Sequence, residues 1–403
     1  MRFTFYKEKD FQSTQRGRFP RDWKIPRFGE IATLDYGRGL PDRERIKGTY
    51  PVVGSNGTVG YHNRSLIKGP GIVIGRKGTI GAVTWIDSDF WPIDTTYYVQ
   101  PKVDDIFLRW LFYEMTYLNL PSLSMADVVP GLKRELVHTL VVPLPPLIEQ
   151  EAIVGVLSVV DLAIGKTDEV IAKTERLKKG LMQELLTKGI GHKEYKQTPI
   201  GKTPKTWEVV KLKDVVEIDK ESRDPSREMP DKTFLYVDID SVDGGSGKIR
   251  KPKRILGKEA PSRARRVIHE NDVIMSTVRP YLKAFAIVPR ELDGQICSTG
   301  FAVLSCGSNI LPYFLLNVLF SSQIINQCNR MMVGGQYPAL NQSQVSEIRI
   351  PLPPLSEQQK IADAFLSVDR KLELERNEKT KLERIKQSLM DLLLTGKIRV
   401  KVD

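Results

Sequence analysis

The chain repeats itself. A stretch of 48 residues that begins PLPPL at Pro143 returns, recognisably the same, at Pro351, so each residue from 143 pairs with the one 208 positions later. PLPPLIEQEAIVGVLSVVD lies over PLPPLSEQQKIADAFLSVD, and KTERLKKGLMQELLTKGI over KLERIKQSLMDLLLTGKI; 20 of the 48 pairs are identical. The match extends backwards, with Gly131, Leu132, Val137 and Leu140 opposite Ala339, Leu340, Val345 and Ile348. A second echo has an offset of 184: Gly17, Pro20, Trp23, Phe28 and Ile31 face Gly201, Pro204, Trp207, Leu212 and Val215. Two offsets mean that the intervening regions differ in length. The order is variable region, repeat, variable region, repeat, and 403 residues are enough for two halves, each with a core of its own.

Each repeat reads as a long helix. The Pro-rich PLPP imposes an extended lead-in, and Ser356 with Gln359 has the spacing of a capping box before the second helix. In the first, Ile153, Leu157, Val160, Ile164 and Ile171 fall on 3,4 spacing, and Leu177, Leu181 and Leu185 continue the stripe after a shift in register. In the second, Ile361, Phe365, Val368, Leu372, Leu382, Leu389 and Leu393 do the same around a polar middle at Glu375 and Lys379. Apolar residues at this spacing mark a coiled-coil seam, and the natural partner of each helix is the other. A helix of about 40 residues is roughly 60 Å long. The pair is therefore expected to form an antiparallel spacer, its halves related by a pseudo-two-fold axis. The fold class expected is α+β, with two similar mixed domains separated by the two long helices.

Between the repeats the chain changes to short apolar runs separated by Gly, Pro, Asn and Asp, the signature of strands joined by turns. YPVVGSNGTVGYHN holds a Ser-Asn-Gly turn, and GIVIGRKGTIGAVTW sets Arg76, Lys77 and Gly78 between two runs of β-formers. DVIMSTVRPYLKAFAIV has Arg279 and Lys283 in the comparable place. Both regions then pass through a Thr-containing strand, IDTTYYVQP or CSTGFAVLS, to an apolar helical segment at 106–118 or 312–327. Glycines 78, 81, 334 and 335 are expected to shape turns.

The charge balance points to an anionic partner. Lys plus Arg number 61 against 49 Asp plus Glu, a net charge of +12. Between Lys248 and Arg266 the chain KIRKPKRILGKEAPSRARR holds nine Lys or Arg and one acid, Glu259. Its counterpart from Arg38 to Lys47 is less pure. Side chains of this kind supply affinity through phosphates and specificity through base edges. Other classes find no support. The N-terminal MRFTFYKEKDFQSTQRGRFP has no apolar h-region, and the longest apolar run, Ile153 to Ile164, contains Asp161 and is too short to span a bilayer, so a cytoplasmic protein with no membrane partner is expected. Cys297, Cys306 and Cys328 lack CxxC spacing and the four histidines are scattered, so neither set suggests a metal site. GxxxxGK[ST], GxGxxG and Asn-Pro-Pro-Phe/Tyr are absent, as is any acid cluster or Ser/His/Asp set of catalytic spacing. The chain is expected to do no chemistry alone.

PLPPLxEQxxI followed by a helix ending LMxxLLT, present twice, together with SNGTVGYH and GIVIGRKGTIG, resembles the specificity subunit of type I restriction-modification enzymes. The resemblance runs from Trp23 to Ile398. It implies target recognition domains at 1–142 and 191–350 (with a linker), and conserved helical segments at 143–190 and 351–403. It also implies that the chain binds double-stranded DNA at a bipartite target, alongside two methyltransferase subunits that modify adenine with S-adenosylmethionine. Restriction and translocase subunits would add ATP- and Mg-dependent cleavage, with no cofactor held by this chain. Modules related by a two-fold and reading one duplex face are most easily placed about a helical turn apart, near 34 Å, which leaves a non-contacted spacer. Unlike variable regions imply an asymmetric target. The residues expected at DNA are Arg76 and Lys77 in the first domain, with Ser55, Asn56, Arg43 and Arg45 beside them. In the second they are Lys253, Arg254, Arg263, Arg265, Arg266, Arg279, Lys283, Gln336 and Tyr337. Two other readings stay open on the residues alone: a DNA-binding regulator that dimerises through its helices, and a nuclease with an unfamiliar active site.

Overall fold

The computed structural model describes residues 3–123, 131–332 and 338–402. It divides into two compact units, one of Met1–Glu169 with Asn377–Asp403, the other of Val170–Arg376. The boundary falls inside both long helices, so each unit holds a segment of each.

The first unit is built on a four-stranded antiparallel sheet in the order Ala32–Tyr36, Thr96–Pro101, Gly71–Gly75, Val83–Ile86. The strand Gly71–Gly75 is apolar without alternation because both of its faces are covered. Ile72 and Ile74 point into a core with Leu34, Val99 and the helix Leu108–Tyr117, whereas Val73 points the other way, onto Val53, Ile86 and Phe90. That second face carries the hairpin Tyr50–Gly54 and Gly57–His62, with Trp91–Pro92 added parallel to its first strand. A strand pair joining Phe3–Lys7 to Ile398–Val402 ties the two ends of the chain together in this unit.

The second unit repeats the plan with other residues. Its sheet runs Val216–Ile218, Phe301–Cys306, Val273–Ser276, Phe285–Ile287, all antiparallel. Val273 and Met275 face one core with Phe314 and Leu315, and Ile274 faces another with Phe301 and Val303. A second sheet, Lys253–Leu256, Thr233–Val237, Gln295–Ser298, Ala264–Ile268, again contains one parallel pair. Truncating any of these enclosed residues to Ala costs about 2–5 kcal/mol. The apolar segment expected at 312–327 is two helices, Pro312–Phe320 and Ser322–Met331. The break is Ser321, whose extended backbone and hydroxyl cap the second helix at Ile324 N.

The long helices span Leu147–Lys188 and Leu355–Leu393. Two details of the sequence reading change. The second helix starts at Leu355, directly after PLPP, so Ser356 lies inside it and forms no capping box with Gln359; Gln359 reaches forward to Asp363. The seam of the first helix also continues without a shift in register. Thr167 and Thr174 are buried on it between the aliphatic positions, and Leu177 lies off the seam and exposed. Each threonine satisfies its hydroxyl on the preceding turn, at Ala163 O and Val170 O, so neither buries an unpaired hydroxyl on this face. The helices run antiparallel within each unit. In the first, Asp161 meets Lys386 at 2.7 Å and Asp168 meets Lys379 at 2.7 Å, seven residues up one helix for seven down the other. In the second, Lys178 meets Asp369 at 2.6 Å and Glu175 meets Arg376 at 2.7 Å.

The repeated Glu-Gln of PLPPLxEQ has a structural reason. Gln150 donates to Asp105 O and Pro145 O and accepts from Phe107 N, the residue that starts the helix Leu108–Tyr117. Gln358 makes the same three bonds to Asn309 O, Pro353 O and Leu311 N ahead of Pro312–Phe320. The glutamates hold tryptophans: Trp23 Nε1 donates to Glu149 and Trp207 Nε1 to Glu357. Those tryptophans follow the hairpins Phe11–Pro20 and Tyr195–Pro204, which accounts for the echo at the second offset; Gly17 and Gly201 make their turns at φ 133° and 108°. The motif thus docks hairpin, sheet and helix to one another twice.

Candidate nucleic-acid interface

In the first unit the loop leaving Gly71–Gly75 turns tightly, with Gly78 and Gly81 both at φ 73°. A Cβ on Gly81 would come within 2.5 Å of Pro121 N, so glycine is required there for space as well as for conformation. The amides of Arg76 and Lys77 both donate to Thr95 O, and Arg76 O accepts from Leu132 N. The Arg76 guanidinium is then fixed by two bonds to Asp94 O, 3.2 Å from Nε and 2.8 Å from Nη2, and lies 5.2 Å from the centroid of the Tyr36 ring. Lys77 is exposed, with no side-chain partner among the described residues. The Ser55–Asn56 turn comes alongside: a Cβ on Gly78 would be 3.2 Å from Ser55 Oγ. Ser55 is half-buried there and Asn56 exposed.

Two residues the sequence reading missed complete this cluster. Tyr36, at the end of its strand, is half exposed and receives a second guanidinium, that of Arg134, 5.1 Å from its centroid. Arg134 also bonds Glu135 through Nε at 3.1 Å. Tyr36 rests on Tyr97, whose phenol burial pushes up to about 12 and whose hydroxyl donates to Leu132 O. The available signal was slight: an aromatic residue before Gly37 where an antiparallel strand ends. Arg43 and Arg45 lie elsewhere on the same unit, around a short 3-10 turn at Asp42–Glu44. Arg43 is exposed, 3.8 Å from Glu44. Arg45 is largely buried, paired with Asp42 and donating to Leu40 O and Val59 O, so it holds its loop to the hairpin.

In the second unit the basic run from Lys248 to Arg266 is partly neutralised from within. Lys248 pairs with Glu373, Arg250 with Asp243, Lys253 with Asp238, Arg265 with Asp224 and Arg266 with Asp219. Arg254 and Arg263 are exposed and have no ion-pair partner among the described residues. Arg266 also donates to Phe301 O. Burial raises the pKa of Asp219, one of whose carboxylate oxygens, Oδ2, is buried with no hydrogen-bond partner. That arrangement fits a structural ion pair beneath the surface. Backbone bonds bring Arg263 beside the central loop, from Thr299 N to Arg263 O and from Thr277 N to Gly300 O. Arg279 and Lys283 flank a single turn at Pro280–Leu282, the topological counterpart of the Arg76–Lys77 loop. Lys283 Nζ donates to Phe320 O at 3.1 Å. Gln336 and Tyr337, like Gly334 and Gly335, lie outside the described residues.

Among the described residues no group of three His, Cys, Asp or Glu is placed to hold a metal ion, and no helix is long and apolar enough to cross a membrane. The three cysteines are free, and burial pushes the thiols of Cys306 and Cys328 up to about 12, far from the nucleophilic range.

The two units carry basic loops at the same topological place, on sheets of the same strand order and beside segments of the two repeated helices. The family described as type I restriction modification DNA specificity domain matches the chain twice, at residues 20–176 and 204–384, and the chain belongs to it. The type I restriction enzyme MjaVIII specificity subunit of Methanocaldococcus jannaschii is 28% identical over 425 residues, covering 98% of both chains. The putative MjaX specificity subunit of that organism is 26% identical, again over 98% of each. Among solved structures, the type I restriction-modification S subunit from M. genitalium superposes with a TM-score of 0.60 at 15% identity, over 92% of this chain and 96% of that one. A chain from the structural study of assembly and conformational transition of the type I R-M system gives 0.52 at 18% identity, over 94% and 99%. The protein is accordingly a non-catalytic specificity subunit, the DNA target recognition component of a type I complex.

Proposed function

We propose that the chain reads a bipartite, asymmetric sequence in double-stranded DNA, one half with each unit, and so directs adenine methylation or restriction by its partners. The observation that carries this reading is the recurrence of one loop, between the same two strands, with unlike residues: Arg76-Lys77-Gly78 in one unit and Arg279-Pro280-Tyr281-Leu282-Lys283 in the other. Equivalent frames hold equivalent loops, and unlike loops select unlike bases. In this reading residues 1–142 and 191–350 carry recognition, and 143–190 with 351–403 carry two methyltransferase subunits. Those subunits supply S-adenosylmethionine, and restriction subunits supply ATP- and Mg-dependent cleavage.

Among the expected DNA contacts, Lys77, Arg43, Arg254 and Arg263 have the exposure phosphate contacts need, and Arg76 and Arg279 lie in the loops that follow Gly71–Gly75 and Val273–Ser276. Ser55 and Asn56 join Arg76, and Lys253, Lys283, Gln336 and Tyr337 complete the second set. Arg45, Arg265 and Arg266 act through the loops they hold. Mapping methylated adenines in a genome with and without this chain, its partners being present, tests the reading. The expected result is loss of one two-part asymmetric motif; an unchanged methylome overturns it.

A further inference from the structure

The loop that leaves Val273–Ser276 in the second unit contains two non-glycine residues in the left-handed region, Arg279 at φ 47° and Lys283 at φ 57°. Residues other than Gly, Asn and Asp avoid that region because Cβ crowds the following carbonyl. Holding two of them four residues apart requires the surroundings to impose the shape. They do. Leu282 N donates to Arg279 O and Lys283 N to Pro280 O, both at 2.9 Å, which closes the turn. Arg279 N donates to Pro338 O, Gly245 N to Lys283 O and Lys283 Nζ to Phe320 O, which fastens it to three other segments, while Pro280 is buried beneath.

The loop so fixed presents Tyr281 and Leu282 to solvent, 43% and 58% exposed. A stable domain gains nothing from a strained, rigid turn that lifts a leucine into water, so the feature points to a partner. The flanking residues say which kind. Both are basic, and the loop is the counterpart of the one that carries Arg76 and Lys77.

We propose that Leu282, with Tyr281 beside it, is a wedge that enters the base stack of the half-site read by the second unit, with Arg279 and Lys283 placed for the adjoining phosphates. The proposal rests on the DNA-recognition reading above. Apolar side chains inserted at a base step unstack it and kink the duplex, and the deformation is recovered through the additional contacts the bent DNA makes. Flexible pyrimidine–purine steps deform most readily, so such a wedge selects sequence without a hydrogen bond to any base. A turn that only followed the phosphates would be served by lysine.

The test uses the full chain assembled with its methyltransferase subunits, and a duplex carrying the motif found by methylome mapping, with 2-aminopurine placed at successive steps. Binding is expected to raise fluorescence at one step of a single half-site. Leu282→Ala should abolish that rise and weaken target binding about tenfold, with non-target binding changed less than about twofold. Because Leu282 is exposed, the variant should melt with the wild type. Leu282→Lys separates the alternatives: it also loses target binding if the tip is inserted, and strengthens binding if the tip lies on the backbone, which overturns the wedge. Unchanged fluorescence and affinity in Leu282→Ala overturn it too, while the motif's dependence on the chain still stands. A methylome indifferent to the chain sinks the reading and the wedge together.

Discussion

Trp207, fully buried, donates its indole N–H to Oε2 of Glu357 at 2.9 Å. The same carboxylate accepts from Ile190 N at 2.9 Å and lies 2.8 Å from His192 Nε2, so one side chain joins the start of the second helix to the segment following the first. Glu149 does this in the first unit for Trp23 and for Arg399, whose guanidinium also bonds Glu8 and Asp22. Glu357→Ala leaves the buried N–H without an acceptor, a loss of about 1–3 kcal/mol, whereas Glu357→Gln keeps an oxygen in place. Urea denaturation of the full chain should rank wild type, Gln, Ala in falling stability. Equal midpoints for wild type and Ala would remove the anchoring role.

Asp369 serves two donors at once, Lys178 at 2.6 Å and the Tyr313 hydroxyl at 2.6 Å. Burial, then the bond to Asp369, holds the Tyr313 phenol well above its usual range, so at neutral pH it is a donor. Asp161 has the same pair in Lys386 and Tyr113, and both partners of the lysine link match through the repeat. Because Lys178 and Asp369 are mostly shielded, a double-mutant cycle with Lys178→Met and Asp369→Asn is expected to give a coupling of about 1–2 kcal/mol, above the value for exposed pairs. A coupling below about 0.3 kcal/mol would class this link with ordinary surface pairs.

How far the sequence disclosed these features depends on the interaction. The sheet strands were legible because two-sided burial forces runs such as GIVIG and VIMS, and the helices because their seam has a period. The unbroken register was not legible because two polar residues, Thr167 and Thr174, carry the seam between its aliphatic positions, their hydroxyls bonded to the preceding turn. The charge of 248–266 was legible, but its neutralisation was not, since Asp219, Asp224, Asp238 and Asp243 come from segments up to 47 positions away in the chain. Tyr36 was not legible for the same reason: Arg76 reaches it from a loop and Arg134 from the start of the helix Arg134–His138.

His269 lies between Glu221, 3.2 Å from Nε2, and Asp293, 3.1 Å from Nδ1. Its pKa is raised above 6.5, chiefly by the bond to Glu221; desolvation opposes this, and the bond to Asp293 adds a smaller rise. A histidine raised on folding binds its proton more tightly in the native state. Its contribution is therefore complete below about pH 6.5 and is lost as pH rises through the folded value. The ring is nearly half exposed, so the effect is small and weakened by salt. The melting temperature of wild type minus that of His269→Gln, followed from acid to alkaline pH, should be positive at the acid end and shrink across neutrality. A difference that grows with pH would reverse the assignment.

Arg76 and Lys77 are neighbours suited to opposite tasks. Arg76 is held at Nε and Nη2 by Asp94 O and stacked on Tyr36, which leaves its remaining N–H groups in a fixed direction, as reading a base edge requires. Lys77 is exposed and has no side-chain partner among the described residues, as a phosphate contact allows. In the assembled complex, Arg76→Ala should cost about 1–3 kcal/mol and relax the methylated motif at one position. Lys77→Ala should weaken binding to all duplexes alike and reduce the salt slope of affinity by about 1. Tyr36→Phe keeps the ring under both guanidiniums and should be silent, while Tyr36→Leu frees Arg76 and should blur the same position that Arg76→Ala relaxes. Titrations across about 50–200 mM salt, paired with methylome mapping, distinguish these outcomes. If Arg76→Ala leaves both motif and affinity as they were, the fixed guanidinium is there to brace the loop, and the reading of this half-site passes to its neighbours.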